Sequence, residues 1–258
     1  MRVVLLETPQ QVSERAADLF CEQMRNKPTT VLGLATGSTP LGTYQELVRR
    51  HRSGEVSFSQ ATTFNLDEYL GLSAEHPQSY HTFMKEHLFS QADFDSSRCF
   101  IPDGQCDDWR VECARYERLI QQQGGIDIQL LGIGTDGHIA FNEPGSSLAS
   151  RTRIKALTKQ TRADNSRFFD SPDDVPRVAI TMGIGTILEA EHIVLLATGA
   201  SKASAVRAFI EGPVTAQVPA SALQLHPRVT VLLDRQAADW LVRKDYYAHV
   251  ESIQVEMN

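Results

Sequence analysis

Asp136, His138 and Glu143 fall within eight residues at the end of an apolar run that begins at Ile126. Two carboxylates around one imidazole are the groups a protein uses to move protons on and off a small molecule near neutral pH. Ile126, Ile128, Leu130, Leu131 and Ile133 read as a buried strand, and Gly132, Gly134 and Gly137 let the backbone turn as it leaves the sheet. In open α/β sheets, ligands bind beyond the carboxyl ends of the strands, which is where this loop would lie. The plainer reading of the same loop is a connection whose Asp caps a helix and whose His packs locally.

Four other segments could share that chemistry. Phe64 to Tyr69 carries Asp67 and Glu68 at another strand end. A partly desolvated Asp there can act as a base, with Glu68 as a supporting carboxylate; the alternative is an Asp N-cap beside a solvated Glu. Thr36-Gly37-Ser38-Thr39-Pro40 lies between an apolar strand and an amphipathic helix, where backbone N–H groups and the Ser38 and Thr39 hydroxyls can hold a phosphate, or merely cap the helix. The Gly-Lys-Ser/Thr ending of a nucleotide-binding loop is missing, so a single phosphate on a small molecule fits better than a triphosphate. Gly199-Ala200-Ser201-Lys202 follows a further strand, and a bound anion would explain a lysine in a first helical turn. Arg167, beside Phe168 and Phe169, offers a second cation or an ordinary surface arginine.

Gly132-Ile133-Gly134-Thr135-Asp136-Gly137 matches the dinucleotide pattern Gly-x-Gly-x-x-Gly, but its supports are absent. Pro144 and Gly145 interrupt the following segment, and Lys155 and Lys159 stand where a ribose-binding acid belongs.

These loops need a scaffold that brings them together. Strand-like runs at Val3–Leu6, Thr30–Ala35, Ala61–Asn65, Ile126 onward, Arg177–Thr181, His192–Ala197 and Val229–Leu233 alternate with helical patterns. Thr8 followed by Pro9 signals the start of the first helix, whose apolar face is Val12, Ala16, Leu19 and Phe20. Further helices are expected over Leu41 to Val48, around Tyr80 to Leu88, through Val111 to Ile120, over Ser201–Ile210 and over Ala237–Val250. Such βα alternation with near-continuous apolar strands predicts an α/β fold: a mostly parallel, Rossmann-like sheet with helices on both faces. A parallel sheet then carries Asp67, the Asp136 loop, the Thr36 loop and the Lys202 loop to one edge.

Nothing marks a boundary, so residues 1–258 read as a single domain; the charged stretch from Ser150 to Pro176 could close over a ligand as a lid or be a solvated surface excursion. With 41% hydrophobic and 22% charged residues the chain is an ordinary globular one. A net charge of -7 without a basic run argues against nucleic acid, and no apolar run approaches a membrane span or a signal-peptide core. The chain therefore reads as cytoplasmic. Cys21, Cys99, Cys106 and Cys113 have no metal-ligand spacing and read as free thiols.

Taken together, Leu34 to Pro40, Phe64 to Tyr69, Gly132 to Pro144, Ser150 to Lys155 and Leu223 to Pro227 resemble the motifs of the glucosamine-6-phosphate deaminase (glucosamine/galactosamine-6-phosphate isomerase) family, from about Val31 to Leu233. The resemblance implies isomerisation and deamination of glucosamine 6-phosphate to fructose 6-phosphate and ammonia, in amino sugar catabolism. It implies that Asp136, His138 and Glu143 open the sugar ring and that Asp67 moves the C2 proton to C1. Gly37, Ser38, Thr39, Arg167 and Lys202 match the family's phosphate site, the region at about 150–182 matches its mobile lid, and no organic cofactor or metal is implied. Ser38 replaces a second glycine found in some members. Some members are hexamers activated by N-acetylglucosamine 6-phosphate near the positions of Ser146, Arg153 and Lys155. Those residue types are present here and a homo-oligomer is compatible with them, but the tail after Asp234 departs from the longer regulated members. Two rival readings share the scaffold: a 6-phosphogluconolactonase-like hydrolase, which needs no carbon base at Asp67, and a non-catalytic sugar-phosphate sensor, which would usually carry a DNA-binding module.

Overall fold

The computed structural model describes residues 1–166, 169 and 171–257, with Gln160, Asp164, Asn165 and Pro172 described by backbone alone. Ten strands occur among these residues: β1 (Arg2–Leu6), β2 (Val31–Leu34), β3 (Thr62–Asn65), β4 (Asp67–Tyr69), β5 (Cys99–Phe100), β6 (Ile128–Leu131), β7 (Arg153–Ala156), β8 (Val178–Thr181), β9 (His192–Ala197) and β10 (Val229–Asp234). The α-helices are α1 (Pro9–Asn26), α2 (Leu41–Arg52), α3 (Tyr80–His87), α4 (Trp109–Gln122), α5 (Lys159–Asn165), α6 (Ile184–Ile187), α7 (Ala203–Glu211) and α8 (Lys244–Glu256). No helix among the described residues is long and apolar enough to cross a membrane.

Seven strands form one wholly parallel sheet in the order β1-β10-β9-β6-β2-β3-β5. Alternate residues of its strands serve two cores. Val194, Leu196 and Leu232 pack on one face with Val12, Ala16 and Phe20 of α1 and Tyr44 and Leu47 of α2. Ile193, Leu195, Val231 and Leu233 pack on the other with Tyr116 of α4, Ile184 of α6 and Phe209 of α7. Burial on both faces is why these strands are nearly continuous apolar runs in the sequence. The chain winds outward from β2 through β3 to β5, then crosses back to β6 and winds the other way through β9 to β10, so the strand order reverses between β2 and β6. The loops leaving those two adjacent strands diverge there and open a crevice.

The α1 start follows the sequence signal: the Thr8 side chain accepts from the Gln11 N–H at 3.2 Å, with Pro9 in the first turn. Three expectations need correction. The run Arg177–Thr181 does not join the parallel sheet; β8 lies in a separate antiparallel sheet, β4-β8-β7, because Asp67–Tyr69 and Arg153–Ala156 pair with it on either side. The final helix begins at Lys244, since residues 235–240 form turns, with Ala237, Ala238 and Leu241 buried against the sheet core. On α4 the inward face is Glu112, Cys113, Tyr116 and Ile120, while Val111 is 62% exposed. All four cysteines are free.

Candidate active site

A cavity of about 620 Å³ opens in the crevice between β2 and β6. It is lined by Gly37, Ser38 and Thr39 after β2, Asp67 of β4, His138 after β6 and Lys202 after β9. The convergence expected of a parallel sheet is therefore present for every described candidate loop. Arg167 lies outside the described residues.

The three-stranded sheet sets one wall. Asp67 opposes Thr181 across β4 and β8, and the Leu66 carbonyl accepts from Met182 N–H at 2.7 Å. Asp67 is only 6% exposed, and burial, with the charge of Glu68 adding, pushes its carboxyl from the ordinary 3.8 up to about 8. Glu68 is not a solvated neighbour. It is 1% exposed and its carboxylate accepts from the backbone N–H groups of Tyr69, Tyr80 and His81 and contacts the His81 ring, so it anchors the first turn of α3. That anchoring brings Tyr80 into the cavity, where burial, with Tyr69 and Asp67 nearby, holds its phenol well above its usual pKa.

The loop after β6 builds the ring-nitrogen side. Gly134 N–H donates to the His138 carbonyl at 2.9 Å, closing a tight turn, and a Cβ on Gly134 would meet His138 Cε1 at 2.2 Å. Only a glycine leaves room for the imidazole there. Asp136 Oδ1 lies 2.7 Å from His138 Nδ1 and accepts the His138 N–H at 3.1 Å. The hydrogen bond from His138 holds the Asp136 carboxyl down at about 2, against the opposing effect of its partial burial. Ala140 takes a left-handed φ of 50° between His138 and Glu143, and this reversal returns Glu143 Oε2 to 3.7 Å from His138 Nδ1. Asn142 ties the reversal down, its Nδ2 donating to the carbonyls of Ile139 and Met182 at 3.0 and 2.9 Å. Phe141 N–H donates to Thr181 Oγ1 at 3.1 Å, so the strand opposite Asp67 also fixes this loop.

Asp136, His138 and Glu143 present ligand atoms all within 4.8 Å of one another, a set that could also hold a cation.

The loops after β2 and β9 line the rest of the cavity with the candidate anion-binding residues Gly37, Ser38, Thr39 and Lys202. Gly37 adopts φ 94°, which turns the chain after β2 toward the cavity, and α2 begins only at Leu41 with no side-chain cap. Lys202 closes a short 3-10 turn, Ala200–Lys202, before α7. The buried Asp234 fixes that turn by accepting the Gly199 N–H at 3.0 and 3.1 Å, and it accepts Ala237 N–H as well. Ser201 of the Gly199–Lys202 motif also lines the cavity, as do Thr161 and Thr198, which the sequence does not single out because isolated hydroxyl residues in a helix or after a strand carry no pattern.

A second cavity, about 660 Å³, sits beside α7 and residues 240–247. It contains none of the residues selected above, and its carboxylate, Glu211, is engaged by the N–H groups of Val242 and Arg243 and by the Tyr247 hydroxyl. The candidate residues that could do chemistry line the slightly smaller cavity.

Comparison with known proteins shows the family. Residues 7–232 match the family described as glucosamine-6-phosphate isomerases/6-phosphogluconolactonase. The chain belongs to this family. A glucosamine-6-phosphate deaminase from Cellvibrio japonicus is 54% identical over 251 residues, covering 97% of this chain and 95% of the relative. One from Shewanella woodyi is 52% identical over 252 residues, covering 98% and 96%. Among solved structures, a glucosamine-6-phosphate deaminase described as monomeric superposes with a TM-score of 0.92 at 51% identity, covering 93% of this chain and 100% of that one. The 6-phosphogluconolactonase from Leishmania guyanensis superposes with a TM-score of 0.71 at 24% identity, which shows the shared isomerase/lactonase fold alone.

Proposed function

We propose that this protein is a glucosamine-6-phosphate deaminase acting in the cytoplasm, which converts glucosamine 6-phosphate and water to fructose 6-phosphate and ammonia. The observation that carries the reading is a buried carboxyl at Asp67, poised at about 8, in one cavity with the His138 imidazole and the Lys202 loop. The kinship with deaminases at 52–54% identity supports the substrate.

The substrate phosphate sits among the N–H groups after Gly37, the Ser38 and Thr39 hydroxyls and Lys202, with Arg167 completing the set. With Nδ1–H directed at Asp136, the neutral His138 ring presents Nε2 as its acceptor. It takes the proton of the C1 hydroxyl and returns one to the ring oxygen, giving the open-chain aldehyde. Asp136 and Glu143 stabilise the imidazolium that forms in between. The aldehyde acidifies the C2 proton, which ionised Asp67 removes and delivers to C1 through an enolamine. The resulting imine at C2 adds water and expels ammonia. Only the carboxylate form of Asp67 can take the proton, so kcat/KM rises with pH toward about 8.

In this reading α5 belongs to the lid that closes on the sugar, while β7 and β8 stay in the small sheet.

The test is to supply purified protein with glucosamine 6-phosphate and assay ammonia and fructose 6-phosphate together. Equimolar release is expected. Hydrolysis of 6-phosphogluconolactone with no ammonia from the amino sugar would replace the assignment with that of the lactonase.

A further inference from the structure

Glu143 is 3% exposed, yet its two carboxylate oxygens have different surroundings. Oε1 accepts from the Thr161 hydroxyl at 2.6 Å and from the Thr158 N–H at 3.2 Å, both at the start of α5. Oε2 has no hydrogen-bond partner among the described residues and lies 3.7 Å from His138 Nδ1. A buried carboxylate oxygen without a donor is costly, so its position must be imposed by the groups that hold the other oxygen. Thr161 is well suited to impose it. It is 5% exposed, lines the cavity, and its hydroxyl accepts from that of Thr158 at 3.0 Å, which leaves its own proton for Glu143. The Thr158 side chain also caps α5 by accepting the Thr161 N–H at 3.1 Å, so the two threonines form one rigid unit.

We infer that Thr161 is a positioning residue for ring opening: its hydroxyl, with the Thr158 N–H, locks Glu143 so that Oε2 stays aimed at His138. This role rests on the deaminase reading and adds to it a link between α5 and the imidazole. When α5 is seated, Glu143 is aligned; when α5 moves away, Glu143 loses its anchor and His138 keeps only Asp136. The start of α5 thus makes proton transfer at the ring oxygen conditional on its own docking.

The test compares Thr161→Val, Thr161→Ala and Thr161→Ser with the parent enzyme on glucosamine 6-phosphate. Folding is followed by circular dichroism. Affinity for 2-amino-2-deoxyglucitol 6-phosphate, an acyclic analogue that needs no ring opening, is measured in parallel. Removal of a charge-assisted hydrogen bond is expected to lower kcat about tenfold in the Val and Ala variants, with KM and analogue affinity within about twofold. Thr161→Ser should restore kcat to within about twofold. In a Glu143→Gln background, Thr161→Val should cost less than about twofold further, because the two residues act as one unit. Unchanged kcat in Thr161→Val, a Ser variant as slow as Val, a parallel loss of analogue affinity, or failure of both the Val and Ala variants to fold overturns the role. Absence of ammonia release by the parent enzyme instead overturns the deaminase reading, whatever the variants do.

Discussion

Asp67 on β4 and Asp136 on the loop after β6 belong to one site, and their surroundings drive them in opposite directions. Asp67 sits beneath the cavity with no cation among the described residues against it and a second carboxylate next in sequence, so burial raises it to about 8. Asp136 is at the exposed rim with an imidazole 2.7 Å away, and falls to about 2. One is a carboxyl that can gain and lose a proton near neutrality, the other a fixed negative charge that orients a ring. The difference comes from environment alone, since the two side chains are chemically the same.

Asn at position 67 keeps the shape and removes the base. Asp67→Asn should lower kcat by about a thousandfold with KM little changed, in the range expected for loss of a general base; near-normal turnover would dissolve the contrast. At the anion end, Lys202→Ala should raise KM for the phosphorylated sugar by about tenfold to a hundredfold with kcat nearly kept, as loss of a charge-assisted contact that is uniform through the reaction predicts. An unchanged KM removes Lys202 from the phosphate site. Asp136→Asn leaves a neutral acceptor beside His138, so kcat should fall by about tenfold, much less than at Asp67, if Asp136 orients rather than reacts. A loss as large as that of Asp67→Asn would mean that the two acids share the proton chemistry.

The smallest effect is on stability and has a definite sign. The folded chain keeps a proton on Asp67 up to about pH 8, whereas the unfolded chain releases it near the ordinary 3.8. Between those values the folded state binds more protons, so its stability falls as pH rises through the window. Asp67→Asn should therefore raise Tm at pH 8 by about 5 °C and give no gain near pH 4. Thermal melts of the two proteins across that range check it; a Tm gain independent of pH would mean that ionisation of Asp67 is not the source.

Much of the frame was legible because its signals are local. Val3–Leu6, Thr30–Ala35 and His192–Ala197 are apolar without interruption, and the first helix announces its start at Thr8-Pro9. The small sheet was not legible, since Asp67–Tyr69 and Arg153–Ala156 are charged strands of three and four residues, too short for a periodic pattern to be read, and their pairing with β8 crosses more than twenty residues of chain in each case. That sheet frames both sides of the site, with Asp67 opposite Thr181 and the Thr181 hydroxyl accepting from Phe141 N–H. The way Glu68 holds the start of α3 was hidden for a related reason: its partners, the N–H groups of Tyr80 and His81, lie twelve and thirteen positions away.

The residue types and their spacing by themselves determined the α/β class, the loops that carry Asp67, His138 and Lys202, and membership of a sugar-phosphate family. Those features follow from hydrophobic periodicity and from short motifs, which need only neighbouring residues to be read. The tertiary structure alone decided which of two like carboxyls is raised and which is lowered, and that Thr161 reaches Glu143. Burial, distance and the direction of a hydrogen bond depend on groups brought together by folding, and no local pattern encodes them.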